Sequence, residues 1–133
     1  MRLRTIAATA AAAILSICAS PALPQGAADW VPIKNTAELR ALYSNTTIKG
    51  RDPSGNEFVG YYHPDGRGLV LWKGRRLPRT WNAYNDLVCV KHQGGNDCYT
   101  YERSRSDPNR IRSRNVAKKY YLQFTVQPGA PDF

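Results

Sequence analysis

Histidine is scarce in this chain, with two residues in 133, and neither His63 nor His92 belongs to a His-x-His or His-x-x-x-His spacing. That argues against a histidine-built metal centre. Acid and base chemistry would have to use one of these two or a carboxylate pair, and no spacing in the chain defines such a pair. No Gly-x-Ser-x-Gly elbow, phosphate loop or dinucleotide fingerprint occurs, so the common hydrolase and nucleotide-binding readings have no motif to rest on. The cysteines number three. Cys89 and Cys98 lie too far apart for a thioredoxin-type dithiol, and two cysteines supply only half of a structural zinc site. No repeat, second domain, metal site or cofactor is implied. Acidic residues are also few, ten against nineteen basic ones, and the formal net charge is +9.

The longest uncharged apolar run, Ile6 to Ile17, follows Arg2 and Arg4 and precedes the small residues Ala19, Ser20 and Ala22. This is the layout of a secretory signal peptide, and it is too short for a transmembrane helix. Cleavage is expected after Ser20-Pro21-Ala22, with Ala28 as second choice. The tetrad Leu15-Ser16-Ile17-Cys18 invites a lipoprotein reading, but the bulky Ile17 fits poorly where such sites want a small residue. Removal of the segment takes Cys18 with it and leaves an even pair of cysteines for an oxidising compartment, periplasmic or extracellular. The expected organisation is a signal peptide over 1–22, a flexible Ala-, Pro- and Gly-rich lead-in over 23–33, a single β domain over 34–127 and an irregular tail over 128–133. Without Arg2 and Arg4 the charge of +9 becomes +7. Such a field favours anionic partners, although the same charge also serves plain solubility.

The first organised element should be helical. Asn35 or Thr36 can cap it, Glu38 stands three after Asn35 as in a capping box, and Leu39, Leu42 and Tyr43 share one face. From Thr46 the apolar period changes to two. Expected strands are Thr46 to Arg51, Glu57 to His63, Leu69 to Lys73, Thr80 to Tyr84, the two arms of a hairpin from Leu87 to about Arg105, Ile111 to Val116, and Tyr120 to Val126. Gly74 to Pro78 reads as a connection. In the last strand Tyr120, Leu122, Phe124 and Val126 should be buried and Tyr121, Gln123 and Thr125 exposed. The fold class is therefore all-β: an antiparallel meander of about eight short strands, a strongly curled sheet or small barrel, with one short N-terminal helix.

The hairpin over Leu87 to Arg105 organises the rest. With Gln93 and Gly94 as its central turn residues, His92 faces Gly95 and Cys89 falls directly opposite Cys98, at a pair whose Cα atoms lie ~4.5 Å apart. A disulfide spans that distance. A turn centred on Gly94 and Gly95 would instead set Cys98 against Lys91 and require a bulge.

Arginine supplies the sharpest surface signal. Arg103 and Arg105 share one strand face, and Arg110, Arg112 and Arg114 share a face of the next. A turn over Asp107 to Arg110 that pairs odd positions with even ones would point all five the same way, continued by Tyr99 and Tyr101. Tyr99, Tyr101, Arg103, Arg105, Arg112 and Arg114 are thus the candidate ligand-binding residues, suited to stacking on bases or sugars and to gripping phosphate or carboxylate. The plainer alternative is a solvated rim whose arginines lie over neighbouring aromatics. Trp30, Trp72 and Trp81 read as core residues or as the lining of a ligand cavity.

Asn45-Thr46-Thr47 with Gly50, Gly60-Tyr61-Tyr62 with Pro64-Asp65-Gly66-Arg67-Gly68, Arg79-Thr80-Trp81, Val88-Cys89-Val90 and Cys98-Tyr99 together resemble a group of small exported bacterial proteins catalogued as domains of unknown function. The resemblance covers most of the chain after the signal peptide. It implies a secreted or periplasmic β domain with one disulfide and carries over no catalytic residue. The expected function is a non-enzymatic binding module for an anionic or small ligand. Alternatives are a small hydrolase using His63 with Asp65 or His92 with Asp97, and a structural protein coating an anionic envelope polymer.

Overall fold

The structure is a computed structural model that describes residues 29–133. The expected signal peptide and most of the expected lead-in lie outside the described residues. The first element is a short strand, Trp30–Pro32 (β1), followed by the helix Thr36–Tyr43 (α1). Eight strands complete the chain: Thr46–Arg51 (β2), Glu57–Tyr62 (β3), Arg67–Trp72 (β4), Arg75–Tyr84 (β5), Leu87–His92 (β6), Gly95–Ser104 (β7), Arg110–Asn115 (β8) and Tyr121–Pro128 (β9). Each of the eight pairs antiparallel with the next, and β9 returns to pair with β2 from Gly50↔Phe124 to Thr46↔Pro128. The meander is therefore closed into an eight-stranded barrel, which removes the unpaired edges that a curled open sheet would keep.

Local chemistry explains the closely spaced hairpins. Lys73 and Gly74 adopt φ of 50° and 71°, and Asn85 and Asp86 adopt 50° and 58°. Two consecutive left-handed residues are what a tight hairpin turn requires, because that turn matches the twist of the strands it joins. The expected connection over Gly74 to Pro78 is accordingly shorter than the sequence suggests, and β5 begins at Arg75. Pro78 is tolerated because β6 meets β5 only between Thr80 and Tyr84. The missing N–H of Pro78, opposite Leu69 of β4, then costs no ladder bond. This also notches the barrel wall beside the first half of β5.

β1 corrects the expected lead-in. Trp30, Val31 and Pro32 pair with Ser104, Arg103 and Glu102, occupying the part of β7 that runs past the end of β6. Trp30 and Ile33 are buried, so the ordered domain starts before residue 34.

The helix forms as its cap predicts. Asn35 accepts a hydrogen bond from the Glu38 N–H at 3.1 Å, which satisfies one of the free N–H groups of the first turn. Leu39, Leu42 and Tyr43 are buried and pack the helix against β2, β5 and β6, covering the barrel end where β2 begins. Tyr43 reaches farthest in. Its ring meets Tyr62 edge-on at 4.8 Å and Tyr101 at 5.6 Å, and its hydroxyl shares a 2.7 Å hydrogen bond with that of Tyr101. Along β6 and β7 Cys89 stands opposite Cys98, and at the end away from the helix His92 stands opposite Gly95. The two sulfurs are at disulfide distance, with the Cα atoms 4.0 Å apart.

Candidate functional site

Alternation along the strands sends one set of side chains into the barrel, and at the helix-covered end these fill the interior. Toward the opposite end they do not. A cavity of about 300 Å³ remains there, at the lower end of the size range of small-molecule sites. Tyr43, Tyr62 and Tyr101 form its floor, Ile48, Val70, Val90, Leu122 and Phe124 its apolar walls, and Trp72, Asp52 and Tyr120 stand toward the mouth. Most of this surface is apolar or aromatic, with a few polar groups placed among it. That mixture characterises ligand sites, since apolar area supplies affinity and single polar groups fix orientation.

Two glycines shape the space. Gly60 lies between Ile48 and Val70 in the cross-strand row, and Gly68 lies between Tyr62 and Arg79. A Cβ at Gly68 would fall 2.8 Å from the Tyr62 ring and 3.4 Å from the Arg79 Cβ. Only the bare backbone there lets Tyr62 and Arg79 come together over the strand between them.

The mouth is braced by hydrogen bonds. The Trp72 indole N–H donates to Asp52 Oδ2 at 2.8 Å, and the backbone N–H groups of Ser54 and Asn56 donate to Oδ1 at 2.9 and 2.8 Å. Burial pushes the Asp52 carboxyl upward, but the bonds from Asn56, Trp72 and Ser54 outweigh it and hold the group below its ordinary range. Deeper in, burial raises the Tyr62 hydroxyl to about 12, and the nearby Arg79 charge opposes that rise. Burial likewise pushes Tyr43 and Tyr101 well up, and Tyr99 is raised by burial and by its Tyr120 neighbour. All four are neutral hydroxyls at physiological pH.

The arginine stripe is divided by the β7–β8 register. Tyr99 pairs with Asn115, Tyr101 with Ser113, Glu102 with Arg112, and Arg103 with Ile111. An odd number of residues separates Arg103 from Ile111, so odd positions face odd ones and the expected odd-to-even pairing does not occur. Tyr99 and Tyr101 consequently point into the barrel and line the cavity. Arg103 shares their side of β7 but lies beside the helix, 3.4 Å from Glu38. Arg105 is exposed past the end of β7. Arg112 and Arg114 project outward with Arg110. Arg110 and Arg112 lie over Trp30 at 5.2 and 4.7 Å, and Arg112 and Arg114 over Tyr121 at 4.8 and 5.7 Å. Arg112 also pairs with Glu102 at 2.5 Å. The six candidates thus fall into an interior aromatic pair, two arginines at the helix end, and an outer arginine ladder.

The histidines are held structurally. Asp65 binds Arg67 at 2.8 Å, while the His63 ring sits edge-on to Tyr61 at 4.7 Å. His92 Nε2 lies 2.9 Å from Asp97, and its Nδ1 accepts from the Gly94 N–H at 3.1 Å. Both ring nitrogens of His92 therefore serve the hairpin. The residues that sequence reasoning missed are Arg79, Tyr62 and Asp52. Arg79 stands two before Trp81, a spacing that puts both on one strand face, but the proline between Leu77 and Arg79 masked the strand.

No protein-family model matches this chain, and no curated protein or solved structure matches it either. Among the described residues no helix is long and apolar enough to cross a membrane.

Proposed function

We propose that this protein is an exported, periplasmic or secreted, non-enzymatic binding module that holds a small, largely apolar molecule inside its barrel. The observation that carries this reading is the cavity of about 300 Å³, lined by Tyr43 from the helix and by Trp72 and Tyr120 from the opposite end of the barrel. Eight-stranded barrels have an interior just wide enough either to be filled by side chains or to hold one small ligand. Here the half toward the helix is filled and the other half is not. The occupied nitrogens of His92 speak against the hydrolase alternative. Export rests on the sequence of the amino-terminal segment and on the cysteine pair, which suits an oxidising compartment.

A titration with 1-octanol, followed by tryptophan emission, tests the interior site. Saturable binding is expected, and Val70→Phe, which fills the cavity from its wall, should weaken it about tenfold or more, the equivalent of about 1.4 kcal/mol. Circular dichroism should report an unchanged fold. Equal affinities in the two proteins would overturn the reading.

A second reading draws on the outer ladder of Arg110, Arg112 and Arg114 over Trp30 and Tyr121. Stacked arginines keep their charge at any physiological pH and present planar donors to phosphate or carboxylate. They favour contact with an anionic envelope polymer along the outside of the same barrel.

A further inference from the structure

We propose that the ligand of the interior cavity carries one carboxylate, gripped by the Arg79 guanidinium and the Tyr62 hydroxyl over Gly68, with its apolar body directed at Val70 and Leu122. This rests on the interior site described above and adds the chemical class of what occupies it. Tyr62, Gly68 and Arg79 are neighbours across three adjacent strands and share the inner face. The absent side chain at Gly68 makes the two larger ones converge, since any Cβ there would collide with the Tyr62 ring.

Arg79 lines the cavity, and among the described residues it takes part in no ion pair. Among the same residues its one hydrogen bond runs from Nη1 to the carbonyl of Pro78 at 3.0 Å. A guanidinium has five N–H donors, so most of its capacity is left for a guest. Asp52, the carboxylate that also lines this cavity, is engaged by Trp72, Asn56 and Ser54 at the mouth. A half-buried cation without a counterion loses hydration and regains little, which a bound anion reverses. Tyr62 is only 4% exposed, and among the described residues its hydroxyl is perturbed by burial and by Arg79, with no hydrogen-bonding partner contributing. It can donate to the same carboxylate. The geometry suits a compact head and a short apolar tail, because the fork of an arginine matches the two oxygens of a carboxylate.

Octanoate and 1-octanol share a chain length and differ in the head group, so their titrations into the wild-type chain at pH 7 give the test. Octanoate should bind about tenfold or more tighter, as expected for a hydrogen bond to a charged group. In Arg79→Gln the ratio of the two affinities should fall to about one, and Arg79→Lys should keep part of the preference. Tyr62→Phe should lower the octanoate affinity by a smaller factor. Comparable wild-type affinities for both probes would overturn the carboxylate assignment while leaving the cavity intact. Binding of neither probe would remove the cavity reading and this inference together. A preference for octanoate that survives Arg79→Gln and disappears on Arg110→Gln with Arg114→Gln would move the anion to the outer ladder and overturn the assignment of Arg79. The wild-type comparison needs no variant to fold.

Discussion

The indole nitrogen of Trp72 and the carboxylate of Asp52 are joined by a 2.8 Å hydrogen bond at the open end of the barrel, tying the β2–β3 turn to the end of β4. The Asp52 carboxyl is held below its ordinary value of 3.8, since its hydrogen bonds outweigh the opposing effect of burial. A depressed folded-state value means that the brace is in place at higher pH and is lost as pH falls through that lowered value. The Trp72 indole N–H resonance should therefore shift below about pH 4 in the wild-type chain. In Asp52→Asn that shift should be absent. An identical acid response in the variant would show that the carboxylate does not control Trp72.

Barrel closure places Gly50 of β2 against Phe124 of β9, and a Cβ on Gly50 would lie 2.7 Å from the Gln123 carbonyl oxygen and 2.9 Å from both Phe124 and Phe58. The nearest of these atoms is backbone and cannot swing aside. Gly50→Ala should therefore destabilise the fold by about 1–3 kcal/mol, although alanine in a strand ordinarily improves on glycine. Urea unfolding would measure it, and an unchanged or raised midpoint would contradict the close β2–β9 contact.

The Cys89–Cys98 link closes a short loop within one hairpin. Loop-closure entropy for such a span gives about 2–3 kcal/mol. The Cys89→Ser and Cys98→Ser double variant should unfold at correspondingly lower urea, and reductant should lower the wild-type chain to the same level. A wild-type chain insensitive to reductant would indicate free thiols.

The register of that hairpin was legible because it is local: once Gln93 and Gly94 make the turn, counting outward sets Cys89 against Cys98. The capped helix was legible for the same reason, as was the alternation of β9, where Phe124 is buried and Leu122 and Val126 are partly buried against the core. What could not be read depends on distant partners. Nothing near Thr46 announces that Pro128 will pair with it, so closed barrel and curled sheet remained equal alternatives. β1 escaped because its pairing partner is about seventy residues away on β7, and because its neighbours are rich in alanine and proline. Arg79 was hidden behind Pro78, whose place in a stretch of β5 that lacks a partner on its β6 side is a property of where β6 happens to stop. The arginine stripe failed on one residue of loop length, which exchanges the two faces of β8.

The outer ladder has its own expected outcome. Replacing Arg110 and Arg114 with Ala removes the same charge as replacing Lys34 and Lys49. If the ladder contacts anionic polymers, the arginine pair should cost more affinity for lipopolysaccharide, acidic glycans or nucleic acid, and the binding should fade steeply with salt. Equal losses would reduce the ladder to a solvated rim whose contribution is net charge alone.

Methyl-labelled NMR during addition of 1-octanol tests the interior site most directly. The methyl resonances of Ile48, Val70, Leu77 and Leu122, which line the cavity, should shift together along one saturable curve and show proton contacts to the octanol chain. Those of the exposed Val31 and Val116 should stay still. Movement confined to the exposed methyls, or none up to the solubility limit of the alcohol, would contradict a ligand site inside the barrel.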